Sequence, residues 1–419
     1  MALILVLAFI LMMSVAVLDM LDDSLINQQM ATNAEKRMQA AYLARSGVNL
    51  SRLSLYLLKK YKSQLQGFGV DEKTFLSQFA LDSSRLRGFV ASVGTETLGE
   101  EGSEEESGET TEESEESADG LNLAATGNFI QGDKTKEFLN FDGDFSTEIT
   151  WEQAKLSLNA VSKLDPTASA YDLYKKILQQ ILLGEEYKIF FEDQESEVLT
   201  LVHAISDYVD LNNVTNEYEK VERGSEDSLY EDGFRVKNGK YLTVSEVRLV
   251  AGMSDDIFLK LEPAITVYHT DTKFNPCQSD SSILDALIAY YTKYGECTNP
   301  LDPEDDKDQI ADLRDEMLTL CYSSTPSTDM ASLLNIRLGL KSEEDVEAAS
   351  SSGTSETQQT SSKVASCKIQ FEDLISDTNN VYKISSIGMV GSAQRTVTVV
   401  LDTSASSAQN WKTLYYQME

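Results

Sequence analysis

The chain is poor in residues that do chemistry. Of 419 residues only two are histidine, His203 and His269, and four are cysteine. No GxSxG, HExxH or P-loop pattern occurs, so nucleophile–base, zinc-protease and phosphate-cradling arrangements have no carrier. A nucleophile needs a base in reach, and the two histidines, one in a helical stretch and one at a strand end, read as packed or surface residues. The chain therefore reads as a non-enzyme. None of Cys277, Cys297, Cys321 and Cys367 forms a CxxC pair, which leaves a zinc site without a ligand set. Basic residues are also scarce, 35 against 69 acidic ones, for a net charge of −34. Such a field repels phosphate and excludes nucleic acid as a partner.

The first 18 residues lack charge, proline and glycine altogether; the first charge is Asp19. At about 1.5 Å per residue this run makes a helix roughly 27 Å long, close to the thickness of a bilayer core. It has no polar stripe, so Met1, Leu5, Phe9 and Leu18, on all its sides, need lipid or other helices around them. A basic leader and a small-x-small cleavage site are both missing, so the segment is expected to stay in the mature protein. From Leu21 to Gln66 no proline and a single glycine, Gly47, interrupt a helical pattern with apolar residues on one face and Lys or Arg on the other. The expected element is one long spine whose head sits in a membrane or filament core and whose back half packs on a domain.

The length of the chain suggests two or three domains. Thr95 to Gly120 holds eleven Glu, one Asp and no basic residue, a composition that cannot bury enough apolar area to order itself. Ser350 to Ser362 is a polar linker within 343–365. Strand material at 146–164 is followed by helices at 170–183 and 196–209, short helices at 244–250 and 254–261, a strand at 264–269, and helices at 282–294, 307–320 and 330–338. Asp302–Asp306 reads as a cap for the helix at 307. Tyr382–Val390 and Arg395–Leu401 alternate with period two about a turn at Gly391, and Trp411–Gln417 adds a third strand. Four cysteines allow three pairings, and Cys297 with Cys321 is the local expectation because both fall in one loop–helix segment. Asp207, Asp210, Asn212, Glu226 and Asp227 flank one long polar loop whose oxygens suit calcium, although the spacing is not that of an EF-hand.

Met1 to Leu18, with Gln39-Ala-Ala-Tyr-Leu-Ala-Arg-Ser-Gly-Val48, resembles the N-terminal helix of pilin-like proteins, and more closely the K-type minor pseudopilins of type II secretion. Asp207-Tyr-Val-Asp-Leu-Asn212 is similar to that family's helix end, Gly224-Ser-Glu-Asp227 with Tyr230 to its next loop, and Glu246–Met253 to its following step. Lys155-Leu-Ser-Leu-Asn-Ala160 resembles an early strand ending in a Leu-Asn step. The resemblance implies an α+β fold, in which the long N-terminal helix packs on an antiparallel β-sheet and a large α-helical domain is inserted. The divisions are 1–66 (spine), 67–165 (start of the pilin-like domain, with the acidic insertion 95–120), 166–263 (inserted helical domain) and 264–419 (return to the β-domain, with helices at 282–340).

The resemblance also implies calcium at the acidic loop and a non-enzymatic role at the pseudopilus tip in starting its assembly. Its implied partners are the I- and J-type minor pseudopilins, other pseudopilins, the inner-membrane assembly platform and, during maturation, the prepilin peptidase. The implied location is single-pass in the bacterial inner membrane with the bulk periplasmic. The alternative is a tip or adhesin subunit of a type IV pilus.

Overall fold

A computed structural model describes residues 2–67, 72–78, 82–83, 85, 142–163, 169–191, 195–215, 225–230, 235–294, 301–302, 305–323, 325–339 and 371–419. The acidic insertion, the linker, Cys297, Cys367 and the side chains of Met1 and Leu5 lie outside them.

Helix α1, Ala2–Gly67, is a single unbroken element, about 100 Å long at the standard rise. Its back half buries Ala40, Ala44, Val48, Ser51, Leu55 and Leu58, a stripe at three- and four-residue steps that keeps one face on a flat partner. Buried Ser51 and Ser54 donate to the carbonyls of Gly47 and Leu50 one turn back, so neither hydroxyl is stranded. The described side chains of the front half are exposed, Phe9, Met12, Leu18, Met20, Leu25 and Met30 among them. Among the described residues no helix is long and apolar enough to cross a membrane, and the run Met1–Leu18 falls partly outside them.

The partner of the back half is a four-stranded sheet of β1 (Asp144–Trp151), β4 (Val381–Val390), β5 (Ala393–Asp402) and β6 (Lys412–Met418), in that order and antiparallel throughout. Alternate residues of its covered face, Ile384, Val397, Val399 and Leu401, pack with Ala44, Val48, Leu55 and Leu58. Gly391, with φ +59°, makes the two-residue turn between β4 and β5; that region is closed to most L-residues and matches the strand twist. The α+β expectation, a long helix on an antiparallel sheet, holds.

A second core is helical and larger. Between β1 and β4 the chain forms α3 (Ser169–Leu182), α4 (Glu195–Val209), α5 (Asp255–Leu261), α6 (Ser281–Tyr294), α7 (Lys307–Thr319) and α8 (Pro326–Gly339), after the short α2 (Glu72–Gln78) that follows α1. A two-residue parallel pair, β2 (Leu156–Ser157) with β3 (Ile265–Thr266), ties its start to its middle. Ile177 and Ile181 of α3, Val202 of α4, Leu287 and Tyr291 of α6, Leu313 of α7 and Leu334 of α8 share one apolar cluster with Phe371 and Ile375. The helices of 281–339, which the sequence pattern assigned to the returning β-domain, thus belong to this core. Asn159 of the Leu-Asn step is its buried clasp: its Nδ2 donates to the carbonyls of Tyr241 (2.9 Å) and Val267 (2.5 Å), and its Oδ1 accepts from the Tyr241 N–H.

Polar side chains fasten the two cores together. Gln153 donates to Asp271 at 2.9 Å and accepts from the backbone of Asn380 and Val381. Within the sheet core itself, the Glu72 carboxylate accepts from Trp151 Nε1 and the Tyr382 hydroxyl, each at 2.8 Å. His269 is buried with its two ring nitrogens against the Glu152 carbonyl and the Asp271 N–H, and burial pushes its pKa down; it is a packed neutral histidine.

The short helix expected at 244–250 is present as a 3-10 helix, Val244–Leu249. One local expectation is corrected. The Asp306 side chain accepts from the Asp302 N–H at 2.9 Å and from the Gln309 amide, not from the first-turn amides of α7.

The disulfide is corrected as well. Cys321 bonds Cys277, with Cα atoms 5.4 Å apart, and not Cys297. Proximity along the chain misled, because α7 folds back beside α6 and carries Cys321 to the start of that helix. The bond closes 44 residues of chain, which in the loop-entropy picture is worth about 4 kcal/mol, with about 2–4 typically realised. Mapping of unreduced peptides should return a Cys277–Cys321 link, and Cys321→Ser should lower unfolding stability by about 2–4 kcal/mol in denaturant.

Candidate metal centre

Helix α4 ends at Val209; Asp207 lies in its last turn and Asp210, three residues on, just beyond its end. Both are buried. Carboxylates there sit at the negative end of the helix dipole, which disfavours them unless a cation is near. Beyond the helix, Asn212 makes the chain turn: its N–H and Nδ2 donate to the two Asp210 oxygens and its Oδ1 accepts from the Val214 N–H. A bridge between Val214 and Ser225 closes the neck of the loop, so that Glu226, first residue of a 3-10 turn, comes back against the helix end.

Asp207, Asp210 and Glu226 each place a carboxylate oxygen within 4.8 Å of the others. Oxygens on a shell of about 2.3–2.6 Å radius around calcium lie within about 5 Å of one another, so the spacing fits. Glu226 is 1% exposed, and neither of its carboxylate oxygens meets a donor in hydrogen-bond geometry. Burial, then the charges of Asp210 and Asp207, push its pKa up to about 8, which the nearby Asn238 amide offsets only in part. A buried, unneutralised carboxylate of this kind is an expensive arrangement that a hard cation relieves. The donors are all oxygen, which suits calcium or magnesium and not zinc.

Of the five residues singled out in the sequence, the structure brings three together. Asn212 spends its side chain on the turn, and Asp227 points away and accepts from the Val236 N–H at 3.0 Å. The residue not anticipated is Asn238. It is a non-glycine residue with positive φ (48°), its Nδ2 reaches back to the Asn212 carbonyl and Asn213 Oδ1, and its Oδ1 is buried without a partner. The Asn-Gly pair at 238–239 was the available signal, since it marks a left-handed turn. Behind the site Tyr208 and Tyr241 stack at 4.8 Å, and the Tyr230 hydroxyl accepts from the Ala251 N–H, so each stretch of the loop is held by the next.

The fold is thus a long, half-naked N-terminal helix on an antiparallel sheet, with a helical unit carrying an acidic pocket inserted between β1 and β4. Residues 154–270, the segment containing that pocket, match the family model described as Type II secretion system (T2SS), protein K. Among solved structures, a chain of the GspK–GspI–GspJ complex from the enterotoxigenic Escherichia coli type 2 secretion system is similar at 17% identity, with a TM-score of 0.40, covering 66% of this chain and 80% of that one. No curated protein matches the chain.

Proposed function

We propose that this protein is a non-enzymatic minor pseudopilin acting at the tip of a type II secretion pseudopilus, where it helps to start assembly for export across the outer membrane. The observation that supports this most is the division of α1: its back half is pinned to the sheet, while its front half exposes apolar side chains on every side. Such a rod is stable only in lipid or among other rods. Before assembly it rests in the inner membrane, with the sheet and helical unit in the periplasm, and it leaves the membrane by stacking on neighbouring helices. With Leu5 in place of an acid, and with a bulky helical unit beside the sheet, the subunit fits the end of a stack. The partners on this reading are the I- and J-type minor pseudopilins, then the other pseudopilins and the assembly platform, with a prepilin peptidase acting earlier. Calcium held by Asp207, Asp210 and Glu226 clamps the helix end to the returning loop.

The test is co-expression with the I- and J-type subunits of the same system, extraction in mild detergent and purification through a tag on this chain. A stoichiometric three-protein complex is expected. Recovery of the tagged chain alone, under conditions where the other two are folded, removes the proposal.

A further inference from the structure

Helix α1 lies over β4, β5 and β1 and meets β6 at its edge, where Arg45 Nε donates to the Tyr416 hydroxyl at 3.2 Å. On β5, Val397 and Val399 face the helix and are buried; their partners across the ladder on β6 are Met418 and Tyr416, which share that face and stay 41% and 50% exposed. Between the flank of α1 and the open end of this strand runs a trough of about 700 Å³. Its wall is Met30, Ala34, Met38 and Ala41, and Met418 lines its far side. The wall residues are spaced four, four and three apart, the seam of a helix that receives another helix. Alanines alternating with methionines let a second backbone come close while the thioethers adapt to it. The seam spans about 17 Å of helix and continues, towards the N-terminus, into the exposed apolar front of α1.

Besides the neutral Asn33, the charged groups lining the trough are of one sign. Arg37 comes from α1 and Arg395 from β5, and among the described residues neither forms an ion pair. In a chain of net charge −34, two unpaired guanidiniums flanking an apolar channel are specific. Guanidinium favours a carboxylate partner in bidentate geometry.

We infer that this trough is the seat for the α-helix of a second subunit, an apolar helix bearing one carboxylate that meets Arg37 and Arg395 while its apolar face lies along Met30, Ala34, Met38 and Ala41. The inference deepens the proposal above and rests on it for the choice of partner. The two guanidiniums fix the register, because only one axial position of the incoming helix puts its acid between them. The exposed edge of β6 is covered by the same event, which removes an unpaired strand edge from solvent.

The experiment uses the full chain in detergent, co-expressed with its I- and J-type subunits, with a photo-crosslinking amino acid placed at Met38, at Met418 or, as a control, at the exposed Tyr322 of the helical unit. Crosslinks from positions 38 and 418 are expected to fall on the N-terminal helix of one partner within a turn of an acidic residue, with none from 322. The double variant Arg37→Glu, Arg395→Glu should cut the crosslink yield at least tenfold, and replacing the partner's acid by Arg should restore it. A folded complex that crosslinks only from 322, or is indifferent to the double variant, overturns the seat and leaves the pseudopilin reading standing. Crosslinks to a second copy of this chain overturn the occupant. Failure of any complex to form removes both.

Discussion

Stripping divalent cations from the purified protein should lower the melting temperature of the helical unit by about 5–10 °C, and added calcium should restore it. A ligand present at a hundredfold excess over its dissociation constant adds about 2.7 kcal/mol, and for a unit of about 200 residues each kcal/mol moves the midpoint by about 2–4 °C. The cause is Glu226. In the metal-free fold its pKa is pushed up to about 8 from an ordinary 4.5, so the folded chain keeps a proton that the unfolded chain has lost. Metal-free stability therefore falls as pH rises from about 4.5 to about 8 and levels off above. Each tenfold change in proton affinity is worth about 1.4 kcal/mol, which sets a ceiling of about 5 kcal/mol, reduced by whatever water reaches the carboxylate. With calcium bound the carboxylate is ionised, and the fall disappears. Calcium affinity should accordingly rise with pH up to about 8, with a proton released on binding below that. Glu226→Gln gives the decisive comparison: thermal melts should show a metal-free protein more stable at pH 8 than the parent and no response to calcium. An unchanged response to calcium in that variant would remove Glu226 from the site.

Substitution of Gly388 by alanine should be among the most damaging single changes in the molecule. A methyl group there would collide with the Ala40 carbonyl oxygen and lie 2.7 Å from the Ala44 nitrogen. Both are helix backbone, so no side chain can swing aside, and α1 must lift off β4. Lifting it opens the cluster of Ala44, Val48, Leu55 and Leu58 with Ile384, Val397 and Val399, and overpacking of this kind costs about 1–3 kcal/mol or more before the opened core is counted. We expect a loss above about 3 kcal/mol in denaturant unfolding and poor accumulation in the cell. Gly239→Ala is the control, since its nearest neighbour is 3.8 Å away; a shift of more than about 0.5 kcal/mol there would mean that the contact argument is incomplete.

The periodicities carried the elements well. The spine, the two alternating strands at 381–402 and the helices at 170–183 and 196–209 were legible because each has one apolar face at a fixed period. The short helix at 244–249 was legible as well, but not its 3-10 winding, because six residues with valine and leucine at helical spacing fit either helix. The acid pocket was half legible. Asp207 and Asp210 stand out as a pair on a helix end, but only the bridge at Val214 and Ser225 selects Glu226 over Asp227, its neighbour in sequence. Asn238 entered through a backbone conformation, which composition does not display.

Local sequence by itself decided where the chain is greasy, where it is helical, where it alternates and which loop gathers acids, because those properties depend on neighbours along the chain. Folding in three dimensions decided the Cys277–Cys321 pairing, the sharing of one core by helices on both sides of residue 263, and the bare flank beside β6. Each of these joins residues tens to hundreds of positions apart, and such contacts follow from packing and closure of the whole chain rather than from any local pattern.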